Sequence, residues 1–317
     1  MPKTMKNPLL LLTLGALLAL PVSLSAKIVR TEDRTFTVQP DGLLKVATQG
    51  GDIIVKTADI GEVRITARKT IRASTEKEAD ELLEPLTLTF EQGDGGVTAE
   101  AKYEKKGTWG WFKNWPPVQV DFLVTVPSRY HADLRTSGGD VEVGSLTGNV
   151  KIHTSGGDIR LERIDGGVDA GTSGGDVTLR EGTARAKVHT SGGDIRIDRA
   201  GGPVEANTSG GDIVINSAEK IVRAHTSGGD IRAVLTAPLD ADCSLGTSGG
   251  DVTVRFPKAA GFQLDASTSG GGVDATGLTI TIEKGGLRKS RLAGAVNGGG
   301  PVLKLRSSGG DIKLRGE

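Results

Sequence analysis

The octapeptide HTSGGDIR occupies His153–Arg160 and recurs unchanged at His189–Arg196 and His225–Arg232. It holds His, Ser and Asp, the residue types of a hydrolytic triad, so its surroundings must decide between chemistry and architecture. A shorter core, Thr-Ser-Gly-Gly-Asp-Ile/Val, starts at Thr136, Thr154, Thr172, Thr190, Thr208 and Thr226, a constant step of 18 residues. Copies at Thr247 and Thr268 follow steps of 21, and the second reads Thr-Ser-Gly-Gly-Gly-Val, with Gly272 in place of Asp. A variant lies at Ser307–Ile312 and a faint early copy, TQGGDI, at Thr48–Ile53. A fixed period marks a repeat architecture and is read before any single motif.

One unit, NVKIHTSGGDIRLERIDG (Asn149–Gly166), shows the design. Val150, Ile152 and Thr154 alternate with Lys151 and His153; after Ser155-Gly156-Gly157, Ile159 and Leu161 alternate with Arg160 and Glu162. These are two period-2 strands, each followed by a glycine turn. Strands this short bury one face only when units stack. The pattern predicts an all-β fold, a parallel β-solenoid of stacked 18-residue two-strand coils, with coils ~4.8 Å apart and a rod ~40 Å long. An antiparallel meander is the alternative; identical turns at a fixed step favour translational stacking.

The register assigns the interior. Ile152, Val188, Ala224, Leu245 and Ala266 point inward, as do Ile159, Val177, Ile195, Ile213, Ile231 and Val252. The single cysteine, Cys243, falls in the inward column of Val150, Val168, Val204 and Val222, which favours a buried structural thiol over a reactive one.

Against that frame the tempting chemistry weakens. A serine nucleophile needs a base at ~3 Å and an oxyanion hole; strand and turn positions explain every residue of HTSGGDIR without either. The histidines recur every 36 residues, with Gly171 and Asn207 between them. Stacked histidines are then two coils, ~9.6 Å, apart, too far to share a zinc ion. Arg160, Arg196 and Arg232 alternate with Thr178, Val214 and Thr253 in the same way, which reveals a duplicated two-coil unit. Asp140, Asp158, Asp176, Asp194, Asp212, Asp230 and Asp251 form a column that could hold calcium. Carboxylates ~5 Å apart in water repel by only ~1 kcal/mol, and a hydrogen bond from a turn amide returns about as much. Asp also suits a turn without metal, and the Gly-Gly-x-Gly-x-Asp spacing of calcium solenoids is missing. A carbohydrate-cleaving β-helix needs paired carboxylates in a groove; the acids here are periodic. The expectation is therefore no catalytic residue, no metal and no cofactor.

The chain has 317 residues, with 39 Lys plus Arg against 39 Asp plus Glu, which argues against a nucleic-acid partner. Residues 1–26 read as a signal peptide: Lys3 and Lys6, an apolar Leu9–Leu20 run, then small residues up to Ala26. Residues 27–135 read as a strand-rich capping region. It carries one short helix, with Thr75 and Glu78 as a capping box and Pro85 as its stop. Residues 136–317 are the SGGD-repeat solenoid. Within the capping region, GTWGWFKNWPP holds Trp109, Trp111, Phe112 and Trp115, which include every tryptophan of the protein. As an exposed patch they could contact sugars or a membrane interface; as a mini-core they would pack over the rod's end.

The export signal, the strand-rich leader, the VDFLVTVP strand at Val120–Pro127 and the serial SGGD turns together resemble the bacterial putative-adhesin β-strand-repeat family, over about residues 34–315. That resemblance implies a parallel β-solenoid in a cell-envelope protein and supplies no catalytic residue. Three functions follow as expectations. The first is an exported, non-enzymatic protein, periplasmic, surface-bound or extracellular, whose solenoid binds an envelope glycan, a membrane surface or an envelope protein. The second is an envelope-polysaccharide-modifying enzyme. The third is an envelope module that forms homo-oligomers through its solenoid end, since the sequence leaves only six residues after Asp311 for a cap. The irregular 277–301 stretch reads as a bulge, a longer coil or an end cap.

Overall fold

Burial alternates residue by residue along the repeat strands: Val150 and Ile152 are buried while Lys151 and His153 are exposed. That period of two puts one face of each strand into a shared interior. The computed structural model describes residues 27–93, 95–104 and 117–317. Its elements begin with β1 (Ile28–Thr37), β2 (Leu43–Ala47), β3 (Ile53–Ala58), β4 (Glu62–Ile71), α1 (Glu76–Leu83), β5 (Leu86–Gly93), β6 (Gly96–Tyr103) and β7 (Val118–Pro127). The regular coils follow as β8 (His131–Arg135), β9 (Val141–Val143), β10 (Leu146–Thr147), β11 (Val150–His153), β12 (Ile159–Asp165), β13 (Val168–Gly171), β14 (Val177–Gly182), β15 (Ala186–His189), β16 (Ile195–Asn207), β17 (Ile213–His225) and β18 (Ile231–Leu235). The last stretch contains β19 (Cys243–Gly246), β20 (Val252–Phe256), β21 (Phe262–Thr268), β22 (Val273–Asp274), β23 (Ile280–Arg288), β24 (Arg291–Val296), β25 (Val302–Ser307) and β26 (Ile312–Gly316).

The chain is an all-β, parallel solenoid. Its first sheet runs β5-β6-β2-β8-β11-β13-β15-β16-β17-β19-β25-β21-β24-β23. The second runs β1-β4-β7-β3-β9-β12-β14-β16-β17-β18-β20-β26-β22. The long strands β16 and β17 turn the corner and belong to both. Pairing is parallel through the middle and becomes antiparallel only at the ends, at β5–β6, β1–β4, β4–β7, β21–β24 and β23–β24. A third buried column, Leu146, Ile164, Ala200, Ala218 and Leu235, closes each coil along a short side that the two-strand reading leaves out.

The TSGGD turn is built to be stacked. Each Thr points inward and its hydroxyl donates to the second glycine's carbonyl one coil back: Thr154 to Gly139 at 3.0 Å, Thr172 to Gly157 at 2.9 Å, Thr190 to Gly175 at 2.8 Å. The same oxygen accepts the amide of its own turn's second glycine, as from Gly193 to Thr190 at 3.3 Å. A buried hydroxyl is tolerated because both its capacities are used. The second glycine is obligatory by close approach: a Cβ on Gly157 would lie 2.0 Å from the Gly139 oxygen, whereas one on Gly156 would find 3.6 Å of room.

The sequence-derived interior is buried throughout except at Val222. Ile221 takes that inward place, at 1% exposure, and Val222 is only half-buried. Between β16 and β17 the register shifts twice, first between Ala200 and Pro203 and then between Val204 and Glu205. The two shifts cancel, so the 18-residue step survives while one side chain turns outward. Cys243 is buried, and burial pushes its thiol up to about 12, which leaves it an inert core group.

At both ends the coils leave sequence order. The β2–β3 coil lies between β6–β7 and β8–β9. The β25–β26 coil, which carries Asp311, lies between β19–β20 and β21–β22. The last repeat therefore does not form the open end expected from its position. Segment 277–301 supplies β23 and β24, an antiparallel pair that extends the first sheet past β21. At the other end α1 joins β4 of the second sheet to β5 of the first. Thr75 caps it by accepting the Glu78 amide at 3.2 Å, and Arg30 of β1 binds Glu76 and Asp80 at 2.6 and 2.7 Å.

Candidate functional site

The seven aspartates of the repeat fall into one column at the start of the second sheet. Each carboxylate's Oδ1 accepts the backbone amide of the aspartate one coil further on: Asp158 to Asp140 at 2.8 Å, Asp176 to Asp158 at 2.9 Å, Asp194 to Asp176 at 2.8 Å and Asp212 to Asp194 at 2.7 Å. Asp230, Asp251 and Asp311 continue the chain at 2.7, 2.8 and 2.7 Å. At the far end the Gly272 amide donates to Asp311 at 2.8 Å. Gly272 sits on the outermost coil, with no next amide to receive, so the missing Asp follows from position. At the near end Asp52 donates to Asp121, which Arg68 also holds at 2.8 Å, and Asp140 donates to Asp52 at 2.9 Å. The aspartate thus joins coils rather than closing its own turn.

This ladder uses up half of each carboxylate. Arg160 reaches Asp158 at 2.7 Å and Asp140 at 3.4 Å, Arg232 reaches Asp230 at 2.6 Å and Asp212 at 3.5 Å, and Lys313 reaches Asp251 at 3.0 Å. Calcium takes roughly six to eight oxygens; a column that leaves one outward oxygen per coil, ~4.8 Å apart, supplies too few to any point. Among the described residues no three His, Cys, Asp or Glu side chains cluster as metal ligands. His153 makes no hydrogen bond to Ser155 or Asp158, and Thr154, Gly157 and Asp158 are all engaged in stacking. Trp109, Trp111, Phe112 and Trp115 lie outside the described residues, as do residues 1–26.

The outward columns of the first sheet carry a pattern that the repeat itself does not require. Across β2, β8, β11, β13, β15, β16 and β17 the stacked residues are Lys45, Asp133, Lys151, Asp169, Lys187, Glu205 and Arg223. Charge alternates at every coil. Unlike charges directly opposite contribute roughly 0.2–1 kcal/mol each, and like charges oppose pairing. Skipping a coil would set like against like, so the column also guards stacking order. The pattern is written in the sequence two places before each histidine, where the residues are cationic, and two places before Arg135, Gly171 and Asn207 in the intervening coils, where they are acidic.

Two shallow recesses lie along regular coils. One of about 580 Å³ is lined by Asp133, Lys151, Asp169 and Lys187, with Gly167 as a gap. Another of about 540 Å³ lies beside Glu181, Arg199 and Glu219 on the short side. A third, of about 310 Å³, sits where β25 inserts beside β19, and is lined by Arg223, His225, Ser244, Gly246, Lys304 and Arg306. No acidic side chain lines it.

A repeat-built, all-β solenoid with its polar motif spent on stacking defines a structural class, and sequence comparison places the chain within it. The pattern of the Toastrack DUF4097 family matches residues 44–315, and the chain belongs to that family. No curated protein matches it. Among solved structures it is similar to a putative adhesin from Bacteroides fragilis NCTC 9343, at 15% identity and a TM-score of 0.40, over 90% of this chain and 97% of that one. It is also similar to a putative lipid binding protein from Parabacteroides distasonis ATCC 8503, at 14% identity and a TM-score of 0.43, over 90% and 96% of the two chains. A putative adhesin from Parabacteroides merdae ATCC 43184 shares 12% identity at a TM-score of 0.41, over 72% and 90%.

Proposed function

We propose that the protein is exported to the cell envelope, where the first sheet of its solenoid binds an envelope component and performs no chemistry. The observation that carries this reading is the division of labour within each coil. Thr, Gly and Asp of the motif are occupied in joining coils, as at Thr172, Gly157 and Asp158. What remains is a long outward face with ordered charges and open recesses, a form suited to an extended partner. The signal-peptide pattern of residues 1–26 supports export.

The segment between β6 and β7 supplies a second element of the proposal. Trp109, Trp111, Phe112 and Trp115 would add aromatic contacts to a sugar ring or a membrane interface. The test is a glycan array and an envelope pull-down with residues 27–317. Changing the three tryptophans to Ala should weaken retention while leaving the melting temperature unchanged. No retention of any envelope component by the unaltered chain would overturn the reading.

A further inference from the structure

The alternation on the first sheet runs through seven stacked positions and then stops. After Arg223 the next position is Ser244, where an acid would continue the pattern, and beyond it lies Lys304, brought there by the inserted β25. Two cations therefore face each other across a neutral strand, ~9.6 Å apart at the backbone. The neighbouring column repeats the motif: His225, Gly246 and Arg306. Gly246 opens the floor, since a Cβ there would come within 3.5 Å of the His225 ring and 3.6 Å of the Arg306 Cβ.

We propose that this recess binds a phosphoryl group. The inference rests on reading the first sheet as a binding surface and names the chemistry of one site on it. Among the described residues the side chains of Arg223, Lys304 and His225 make no hydrogen bond or ion pair, their backbones being taken up in the sheet. On the second sheet, by contrast, Arg232 and Lys313 are held by Asp230 and Asp251. Of the acids that flank the recess, Glu205 is engaged with Arg185 at 2.5 Å, and Asp265 binds Arg306 through Oδ2 while its Oδ1 is buried without a partner. Ser244 and Ser248 at its rim add hydroxyl donors. Cations converging from opposite sides suit a ligand with more than one negative charge and several acceptor oxygens, which a phosphoryl group has and a carboxylate lacks. The volume of about 310 Å³ admits that group with part of the molecule that bears it.

The experiment uses residues 27–317 and follows the amide resonances of Ser244, Gly246 and Arg306 during titration with inorganic phosphate. Acetate and chloride at matched ionic strength serve as controls. Saturable shifts with phosphate are expected, with acetate weaker. The double variant Arg223→Gln, Lys304→Gln should bind roughly tenfold more weakly. Lys151→Gln with Lys187→Gln, on the same face but outside the recess, should bind as the parent does. All these side chains are exposed or outward-facing, and a melting curve for each variant checks folding. Glucose 1-phosphate and phosphatidic acid vesicles, run as separate arms, distinguish a phosphorylated sugar from a lipid headgroup. No saturable shift, or the same loss in both double variants, overturns the proposal. If the recess fails while envelope pull-down persists, only this inference falls; if the pull-down fails too, the wider reading falls with it.

Discussion

The middle of the rod and its two ends obey different rules of assembly. Between β8 and β18 each coil lies on the one before it in sequence, and every turn after the first repeats the Thr hydroxyl bond to a Gly carbonyl and the Asp amide bond to the preceding Asp. At the ends the order breaks in a matching way. At each end a coil near the end of the described sequence, β2–β3 or β25–β26, is tucked inward; at the C-terminal end the internal strands β22 and β23 take the outermost positions, and at the other end β5 and the first strand β1 do. A terminal coil left outside would present an unpaired edge and fray. Tucking it inward pairs both of its edges, and at the C-terminal end the segment now outermost is tethered at both sides and widened by antiparallel strands. The entropic cost of the longer closure grows only logarithmically with loop length, so two paired edges can outweigh it. Repetition builds the length of this molecule, and departure from repetition finishes it. The same departure places Lys304 beside Ser244 and so creates the recess that repetition alone would have lined with alternating charge.

Deletions should separate the regions most sharply. Removing residues 154–189 rejoins His153 to Thr190, restores the octapeptide and keeps charge alternation. That chain should melt cooperatively by circular dichroism as a shorter rod. Removing residues 302–317, though less than half as long, takes out a coil from between two others and should abolish the cooperative transition of the C-terminal third. Equal damage from both deletions would break the distinction. Within the middle, Gly193→Ala should cost about 3 kcal/mol or more in denaturant titrations, because its Cβ would meet the Gly175 oxygen at 2.2 Å. Gly192→Ala, with 3.3 Å to the Gly174 oxygen, should cost far less.

Acid should act first at the inserted coil. The Asp311 amide, with Lys313 beside it, holds the Asp251 carboxyl below its ordinary value. A carboxyl whose pKa is lowered by folding contributes stability above its unfolded value, and that contribution disappears as pH falls through the folded value. The protection of the β26 amides against hydrogen exchange, taken relative to the intrinsic rate at each pH, should therefore fall below about pH 4, and Asp251→Asn should flatten that dependence. The smallest effect is expected beside the N-terminal insertion. The Tyr130 hydroxyl is fully buried without a partner, its ring packed over Gly42. Tyr130→Phe should be neutral or stabilise by up to ~1 kcal/mol; a clear loss would reveal a bond the geometry does not show.

Much of the middle is legible in the sequence because strand, turn and register each repeat. The inward columns, the burial of Cys243 and the outward His and Arg all follow from counting. Counting fails at Val222, where two compensating register shifts leave the period intact. It also assigns each Asp to its own turn, since a sequence shows which residues recur and not which coil their side chains reach. The end order was hidden for a different reason. It depends on pairings between segments far apart, 60 residues for Asp311 with Asp251 and 88 for Asp140 with Asp52, and the traces are the lengthened spacings from Thr48 to Thr136 and from Thr247 to Ser307. The recess inherits that invisibility, because Arg223 and Lys304 come together only through the insertion.

The order of coils can be read directly by cross-linking. Thr253 is in register with Lys313, and Lys313 with Asp274. Adjacent parallel strands hold registered Cα atoms ~4.8 Å apart, inside the range a disulfide spans, while a two-strand separation of ~9.6 Å lies beyond it. The inert Cys243 leaves the background clean. Thr253→Cys with Lys313→Cys should oxidise to an intramolecular disulfide in the monomer, and Thr253→Cys with Asp274→Cys should not. A disulfide in the second pair and none in the first would mean that the coils stack in sequence order, contradicting both the finished ends and the recess they create.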